Sequence, residues 1–255
     1  MKPPDQILSV PGVGDPHPRF WWQQHNPEIL PYVYRAMEPE QVELMRDWFA
    51  DTGSKDLPGE TTIPAISLIT SLISSGSVER IVQLGHYAGY SSLMIGFCLV
   101  NSRSPGRMVS IDLDPEVTDY TREWVDRAGL DSRIELYCGD SADPRLAEQA
   151  VTELGGGPEL IFLDSSHAYE HTIHELDLWY PLLVPGGLIL LHDVSQFATE
   201  FDATGEGGVR RALDEWGKRN EAELISINRS VDKSHTLDDL TYEDGCGMGI
   251  VQKPL

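Results

Sequence analysis

The feature that most constrains this fold is an alternation of short apolar runs and amphipathic helical patterns between residues 61 and 220. Apolar runs of this length without polar alternation are typical of strands buried on both faces of a parallel sheet. The predicted strands are Arg80–Leu84, Met108–Ile111, Arg133–Tyr137, Leu160–Leu163 and Leu188–Leu191. A helical pattern separates each pair of strands, so the sequence predicts a doubly wound α/β sheet with helices on both faces.

Two helix starts support this interpretation. Asp114-Pro115-Glu116 supplies an N-cap carboxylate, a proline at the first helical position and an acid in the first turn. Asp143-Pro144 repeats the signature after the third strand. Each predicted helix therefore begins shortly after a strand, as a crossover connection requires.

The last 35 residues have a different pattern. Leu224–Ile227 and Gly249–Val251 read as strands, with no helical pattern between them. Two strands that are joined without a crossover connection form an antiparallel pair. We therefore expect seven strands, mostly parallel, with an antiparallel C-terminal pair at one edge of the sheet.

The first 60 residues differ from the rest in being irregular and rich in proline and aromatic residues, apart from a helix expected from about Pro39 to Phe49. We interpret residues 1–60 as a cap, a dimerisation segment or simple packing, and residues 61–255 as the main domain. We expect Phe20, Trp21 or Trp22 to lie near the mouth of a pocket.

Charge and composition restrict the partners. The chain has 41 acidic and 19 basic residues, a formal net charge of −22. Such a surface repels nucleic acid and anionic membranes and attracts cations. The alternative is that the acidic residues serve only to keep the protein soluble. Three cysteines, no secretory signal pattern and no apolar run of about 20 residues predict a cytoplasmic protein that does not enter the membrane.

Polar residues collect where the predicted strands end, which is where ligands bind in open parallel sheets. The first strand runs into a glycine turn, and carboxylates stand at or just after the ends of the other four. These residues are Asp112, Asp140 with Ser141, Asp164 with His167, and Asp193 with His192. Four such placements at one edge indicate a functional site.

The turn after the first strand has glycines at Gly85 and Gly89. This spacing lacks the Gly-x-Gly-x-x-Gly fingerprint, which argues against a nicotinamide oxidoreductase. Asp112 follows 27 residues after Gly85 and could accept two hydrogen bonds from a ribose diol, or simply cap its strand.

The motif at Val82–Ser91 reads Val-Gln-Leu-Gly-His-Tyr-Ala-Gly-Tyr-Ser. It resembles the first motif of the catechol and caffeoyl-CoA O-methyltransferases, class I enzymes that use S-adenosylmethionine (SAM). The segments around Asp164 and Asp193 resemble the metal-bearing strand ends of that family, and the stretch from Asp164 to Tyr169 is similar to a bacterial, cephalosporin-hydroxylase-type branch. The resemblance covers about residues 60–252 and implies a Rossmann-like fold of seven strands.

The resemblance also implies residue roles. SAM would be bound by the residues around the first three strand ends, with Asp164 nearby: Gly85, His86, Tyr87, Gly89, Ser91, Asp112, Asp140, Ser141 and Asp164. Asp164, His192 and Asp193 would hold a divalent metal, most simply Mg²⁺. His167 stands where the animal catechol enzymes carry a catalytic lysine, and with Asp164 it would take the catalytic role.

Three residues depart from the family pattern. Gln83 replaces an acid beneath the glycine turn, Val194 stands where an asparagine ligand is common, and His86 adds an imidazole beside the donor. The metal site would therefore either use His192 or be incomplete. We interpret His171 and His174 as residues of the helix surface, although His171 could share the face of His167.

The function that follows is a SAM-dependent, metal-dependent O-methyltransferase acting on a small hydroxylated, catechol-like or vicinal-diol metabolite. We expect no nucleic-acid or membrane partner, and we expect the protein to form a homodimer. The alternatives are a metal-independent N-, C- or O-methyltransferase with His86 or His167 as base, or a non-catalytic binding protein. The loop Ser195–Gly208 is either a lid or an ordinary surface loop.

Overall fold

Seven strands form one mixed sheet in the computed structural model, which describes residues 31–76 and 78–255. The strands are β1 (Arg80–Leu84), β2 (Arg107–Asp112), β3 (Ile134–Cys138), β4 (Leu160–Leu163), β5 (Leu188–His192), β6 (Glu223–Ile227) and β7 (Met248–Gln252). Their order is β3-β2-β1-β4-β5-β7-β6. The chain reverses its direction of winding between β1 and β4, and the ends of these two strands are where a ligand crevice is expected.

Alternate strand residues face opposite layers of helices. The helices are α1 (Tyr32–Arg35), α2 (Pro39–Ser54), α3 (Ile63–Ser74), α4 (Tyr90–Asn101), α5 (Pro115–Arg127), α6 (Pro144–Leu154), α7 (Tyr169–Leu182) and α8 (Gly208–Asn220). Helices α1 to α5 share a core with Ile81 and Phe162, whereas α6, α7 and α8 share one with Val82 and Leu163. This two-sided burial explains why β1 and β4 are apolar throughout.

The sequence predicted the central strands to within a residue or two at each end, and both aspartate caps are confirmed. Asp114 accepts a hydrogen bond from the Glu116 backbone, and Asp143 accepts one from the Arg145 backbone. The helix predicted over Pro39–Phe49 continues to Ser54. Its last turn lacks an apolar stripe, but the fully buried Thr52 hydroxyl bonds back to the carbonyl oxygen of Trp48.

The predicted antiparallel C-terminal pair is confirmed, with β7 lying between β5 and β6 and antiparallel to both. His192 at the end of β5 is in register with Met248 at the start of β7. The segment that precedes β7 therefore reaches the same edge of the sheet as the ends of the parallel strands. None of the helices within residues 31–76 and 78–255 is both long and apolar enough to cross a bilayer.

The described part of the N-terminal segment packs on the glycine turn. The Trp48 indole nitrogen donates a 2.8 Å hydrogen bond to the carbonyl oxygen of Ala88, and the hydroxyls of Tyr34 and Tyr90 are 2.6 Å apart. Helix α2 thereby stabilises the start of α4. Phe20, Trp21 and Trp22 lie outside the described residues, so their predicted place near a pocket stays a prediction.

Candidate active site

A cavity of about 580 Å³ opens at the carboxyl ends of β1 to β4. Of the predicted donor-site residues, Gly85, His86, Tyr87, Ser91, Asp112, Asp140, Ser141 and Asp164 line it. Residues of the segment before α3 also line it, namely Pro58, Gly59 and Thr61. The cavity thus lies where the strand order reverses, and most of the residues that were predicted to bind the donor line it.

The glycine turn after β1 leaves no room for a side chain at Gly85. Its φ is +87°, and a Cβ there would lie 2.2 Å from the carbonyl oxygen of Asp164. Gly89, the N-cap of α4, has a φ of +90°, and a Cβ there would meet the Thr121 side chain at 2.8 Å. Gly89, predicted to line the donor site, therefore packs against α5 behind the turn instead of lining the cavity.

Gln83 supports the glycine turn from below. Its amide nitrogen donates to the carbonyl oxygen of Gly85 at 2.9 Å and to the Ser91 hydroxyl at 2.6 Å. Its amide oxygen accepts a hydrogen bond from Ser92 at 2.8 Å. An amide supplies both a donor and an acceptor, so this departure from the family's acid still connects β1, the turn and α4.

Asp112 connects the end of β2 to the same turn. Its Oδ2 accepts hydrogen bonds from the backbone nitrogens of His86 at 2.9 Å and Tyr87 at 2.8 Å, and its Oδ1 accepts one from Asp114 at 3.1 Å. The carboxylate lies on the cavity wall, where a ribose diol was predicted to bind.

The imidazole of His86 is enclosed between β2 and α5, and its predicted contact with the donor stays a prediction. It is 2% exposed, and its ring nitrogens lie 3.1 Å from the Ser110 hydroxyl and 3.0 Å from the Thr118 hydroxyl. Burial lowers the pKa of His86 to about 4, despite the nearby charge of Asp112. With both ring nitrogens beside hydroxyls, this neutral, enclosed ring is not available as the base of the metal-independent alternative.

Glu175 on α7 is a site residue that the sequence analysis missed. This fully buried carboxylate accepts hydrogen bonds from Ser141 after β3 at 2.5 Å and from Ser165 after β4 at 2.9 Å. It lies in the buried stripe of α7 with Leu176 and Trp179. An acid within an apolar helical stripe is costly to bury without partners, and this was the signal in the sequence.

His171 faces the cavity, so its interpretation as a helix-surface residue is wrong, whereas His174 is exposed as expected. Its Nε2 lies 3.0 Å from Asp140 and its Nδ1 lies 3.4 Å from Glu175. The nearby carboxylates of Glu175 and Asp140 outweigh burial and raise the pKa of His171 to about 9. The histidine is therefore a cation at neutral pH.

Two carboxylates, Asp164 after β4 and Asp193 after β5, face each other across two histidines. His167 Nε2 lies 3.1 Å from Asp193 and 3.8 Å from Asp164. His192 Nδ1 lies 3.5 Å from each carboxylate. Thr61 adds a 3.0 Å hydrogen bond to Asp164 Oδ2. The four predicted residues are thus brought together, as their strand-end positions suggested.

A bend at Asp193 makes this arrangement possible. Adjacent side chains of an extended strand point to opposite faces, but Asp193 has a φ of +63°. This left-handed conformation turns its carboxylate toward the same group as His192. Val194, where the family pattern has an amide ligand, is 1% exposed and packs in the apolar core that α6, α7 and α8 share.

The two carboxylates and two histidines change each other's protonation. Burial lowers the pKa of His167, but Asp164 and Asp193 outweigh it and raise it to about 10. Burial raises the pKa of Asp193, but His192 and His167 outweigh it and hold that pKa far below its usual range. His167 is therefore protonated while it faces the carboxylates alone.

The donor atoms suit a divalent cation. One oxygen from each of Asp164 and Asp193 and a ring nitrogen of His167 all lie within 4.8 Å of one another. Carboxylate oxygens suit Mg²⁺, and an imidazole in the set also admits Mn²⁺, Fe²⁺ or Zn²⁺. His167 and His192 both present a nitrogen to the pair, and either could replace the missing amide.

The loop Ser195–Gly208 packs beside this group. Its short 3₁₀ helix, Phe197–Phe201, brings the Phe201 ring to 5.9 Å from the His167 ring. Asp202 holds the loop by accepting hydrogen bonds from the backbones of Thr204, Glu206 and Gly208. The loop thus lies beside His167, and its opening as a lid stays a prediction.

Comparison with known proteins agrees with this geometry. The profile of a family described as "Methyltransferase domain" matches residues 82–194. A catechol O-methyltransferase of Niastella koreensis is 28% identical over 76% of this chain and 86% of its own length. One from Mycobacterium tuberculosis is 24% identical over 60% of this chain and 67% of its own length.

Solved structures share the fold. An O-methyltransferase from Bacillus cereus, in complex with S-adenosylhomocysteine (SAH), superposes with a TM-score of 0.65 at 16% identity, over 91% of this chain and 96% of that one. The O-methyltransferase TomG from Streptomyces achromogenes, in complex with SAM, gives a TM-score of 0.60 at 18% identity, over 92% and 95%.

The strand order, the matched domain and these relatives together define the chain as a class I SAM-dependent methyltransferase. Within that class it is similar to the catechol and caffeoyl-CoA O-methyltransferases, as the motifs predicted. The narrower assignment to a cephalosporin-hydroxylase-type branch stays a prediction.

Proposed function

We propose that this protein transfers the methyl group of SAM to a hydroxyl of a small metabolite with adjacent oxygens, such as a catechol, with the help of a divalent cation. The observation that carries the proposal is the pairing of Asp164 and Asp193 beside the donor cavity. Asp164 lines that cavity and also belongs to the carboxylate pair. A donor and a chelated acceptor would therefore meet at one residue.

The donor half of the proposal rests on the cavity walls. Gly85 lets the β1 turn lie against the β4 end, and Asp112 offers carboxylate oxygens to the hydroxyls of a ribose. Asp140 and Ser141 form the wall after β3, where the adenine would bind. SAM supplies a methyl group already activated by its sulfonium charge.

Asp164 and Asp193 would hold the cation, with a nitrogen of His167 or His192 as a further ligand. A bound divalent cation supplies positive charge that lowers the pKa of a coordinated hydroxyl. The protein's own task is to align the acceptor oxygen with the methyl carbon and to keep the two carboxylates ionised. Both acids have a lowered pKa, so they are available as anions at neutral pH.

His167 would receive the acceptor's proton only when it is neutral. The two carboxylates hold it protonated, so a base role requires that their charge be neutralised by the bound ligands. If His167 instead binds the cation, it must also lose its proton. Either role predicts that the pKa of His167 falls when the site is filled.

The direct test is turnover of the purified protein with SAM and catechol, followed as release of SAH. We expect turnover that EDTA abolishes and Mg²⁺ restores, and a loss of at least about 100-fold in kcat for Asp164→Asn and Asp193→Asn. Asp131→Asn, an exposed carboxylate before β3, is the matched control and should keep full activity. Undiminished turnover after exhaustive chelation would disprove the metal requirement.

A methyltransferase that acts on another acceptor gives a different result. SAM and SAH would then bind by calorimetry although catechol yields no product. The absence of heat with both compounds would refute the donor site itself.

A further inference from the structure

The far edge of the His192 ring faces a second group of polar side chains. Nδ1 of His192 points to the Asp164 and Asp193 pair, whereas Nε2 lies 3.5 Å from Asp244 Oδ2. Atoms of His192, Asp244 and Cys246 all lie within 4.8 Å of one another. Asp244 and Cys246 come from the segment just before β7, so they belong to neither the donor cavity nor the carboxylate pair.

Two buried atoms in this second group, His192 Nε2 and Asp244 Oδ2, have no hydrogen-bond partner among residues 31–76 and 78–255. Asp244 is fully buried and His192 is 5% exposed. The 3.5 Å contact between the imidazole and the carboxylate lacks hydrogen-bond geometry, so it does not satisfy either atom.

The chain holds Asp244 in this orientation by other means. Asp244 Oδ1 accepts hydrogen bonds from the backbones of Cys246 at 3.0 Å and Gly247 at 3.2 Å, which leaves Oδ2 directed at His192. The Asn228 side chain donates to the carbonyl oxygens of Tyr242 at 2.5 Å and Asp244 at 2.7 Å. The segment is therefore fastened by its backbone, while its buried side-chain atoms remain available to a ligand.

We propose that His192 Nε2, Asp244 Oδ2 and Cys246 Sγ form a second metal site, for a transition-metal ion of the Zn²⁺ or Fe²⁺ type. Nitrogen, carboxylate and sulfur donors are typical of such ions and unlike the oxygen ligands of Mg²⁺. In a tetrahedral site with bonds of about 2.0 Å, nitrogen and oxygen ligands lie about 3.3 Å apart. The observed 3.5 Å separation is close to that value.

The second site would act on the carboxylate pair through His192. A histidine that binds a metal through one nitrogen commonly donates the hydrogen of its other nitrogen to a carboxylate. A metal on Nε2 leaves the hydrogen on Nδ1, which faces Asp164 and Asp193 at 3.5 Å. His192 would then position the pair, and the cation there would take its nitrogen from His167.

Cys246 would bind the metal as a thiolate. The metal–sulfur bond would form as the thiol releases its proton. A buried water molecule would satisfy the two unpartnered atoms without engaging the sulfur, and this difference separates the two occupants experimentally.

The test is titration of the full, metal-stripped protein with Co²⁺ alone, under reducing anaerobic conditions, followed by absorption spectroscopy. We expect one equivalent of Co²⁺ to produce a near-ultraviolet thiolate-to-cobalt band together with visible bands of a tetrahedral ion. Cys246→Ser should remove the thiolate band and lower affinity for that equivalent at least about 100-fold, and Asp244→Asn should lower it about 10- to 100-fold. Cys138→Ser, which changes an exposed thiol elsewhere, should leave the titration within twofold of the original.

The result is independent of methyl transfer, because it is read from the spectrum. Asp164→Asn should keep the thiolate band even though it disrupts the carboxylate pair. The proposal is overturned if the unmodified protein binds Co²⁺ without a thiolate band, or if the band survives in Cys246→Ser. Circular dichroism of Cys246→Ser establishes that its lost band does not come from unfolding, and Asp244→Asn, which keeps the side-chain shape and the thiol, gives a second variant with weakened binding.

Discussion

Gly85 and the backbone of Asp164 are packed so closely that a Cβ on the glycine would lie 2.2 Å from the Asp164 carbonyl oxygen. The turn that is proposed to hold the methyl donor thus lies directly on the strand end that is proposed to hold the cation. One contact fixes the separation of the two halves of the site. Small changes at either residue should therefore affect donor and metal together.

Gly85→Ala should weaken donor binding severely. The added methyl group collides with backbone that cannot move aside, and the φ of +87° is strained for alanine. We expect the Kd for SAM to rise at least about tenfold and the free energy of unfolding to fall by about 2–4 kcal/mol. Calorimetry and urea denaturation measure the two effects.

Gly156→Ala is the control for this substitution, because a Cβ there meets only the flexible Arg80 side chain at 3.6 Å. It should leave the Kd for SAM within twofold. Equal donor affinity of Gly85→Ala and the unmodified protein would contradict the packing that relates the two halves of the site.

Removing the Glu175 carboxylate should loosen the ends of β3 and β4. Glu175→Ala leaves the hydroxyls of Ser141 and Ser165 and the charge of His171 without their buried partner. We expect a loss of about 2–4 kcal/mol in the free energy of unfolding, together with weaker SAM binding. Glu170→Gln changes an exposed carboxylate on the same helix and should be neutral. Equal free energies of unfolding for the two variants would show that the Glu175 hydrogen bonds do not stabilise the fold.

Stability should depend on the protonation of His171. Its pKa is about 9 in the folded protein and about 6.5 when unfolded, so its contribution is complete below pH 6.5 and is lost as the pH rises through 9. The contribution is at most about 3 kcal/mol, and less because the side chain is 26% exposed.

The measurement is the difference in unfolding free energy between the unmodified protein and His171→Asn from pH 6 to pH 9.5. The difference cancels the titration of other groups, including His167, to first order. We expect it to shrink as the pH rises. A difference that stays constant across this range would show that His171 is not held as a cation by Glu175 and Asp140.

Phe201→Ala should affect the acceptor more than the donor. The ring lies beside His167, is 41% exposed, and is not among the residues that line the donor cavity. We expect the KM for catechol to rise about tenfold, since a lost aromatic contact is worth about 1–2 kcal/mol, while the Kd for SAM changes less than twofold. A changed SAM affinity with an unchanged KM would place Phe201 outside the acceptor site.

The sequence by itself determined the order of strands and helices along the chain, because a central strand that is buried on both faces consists of a run of apolar residues. It also determined where the helices begin at Asp114 and Asp143, since an N-cap acts within two or three residues. The sequence also showed that carboxylates follow the strands. Because parallel strands end at the same edge of a sheet, these carboxylates could be predicted to lie together.

The tertiary structure decided which side chains face the site. His86 stands next to Gly85 in sequence but turns inward to Ser110 and Thr118, whereas His171, read as a surface residue, turns toward the cavity. Both outcomes depend on partners more than 20 residues away, apart from the contact of His171 with Glu175.

The same reason explains the residues that were missed. Thr61 lies 103 residues from Asp164, and Asp244 meets His192 only because β7 is inserted beside β5. Periodicity and capping are local, so they leave a mark in the sequence. The approach of distant segments depends on how all the strands and helices pack together, and no local pattern predicts that packing.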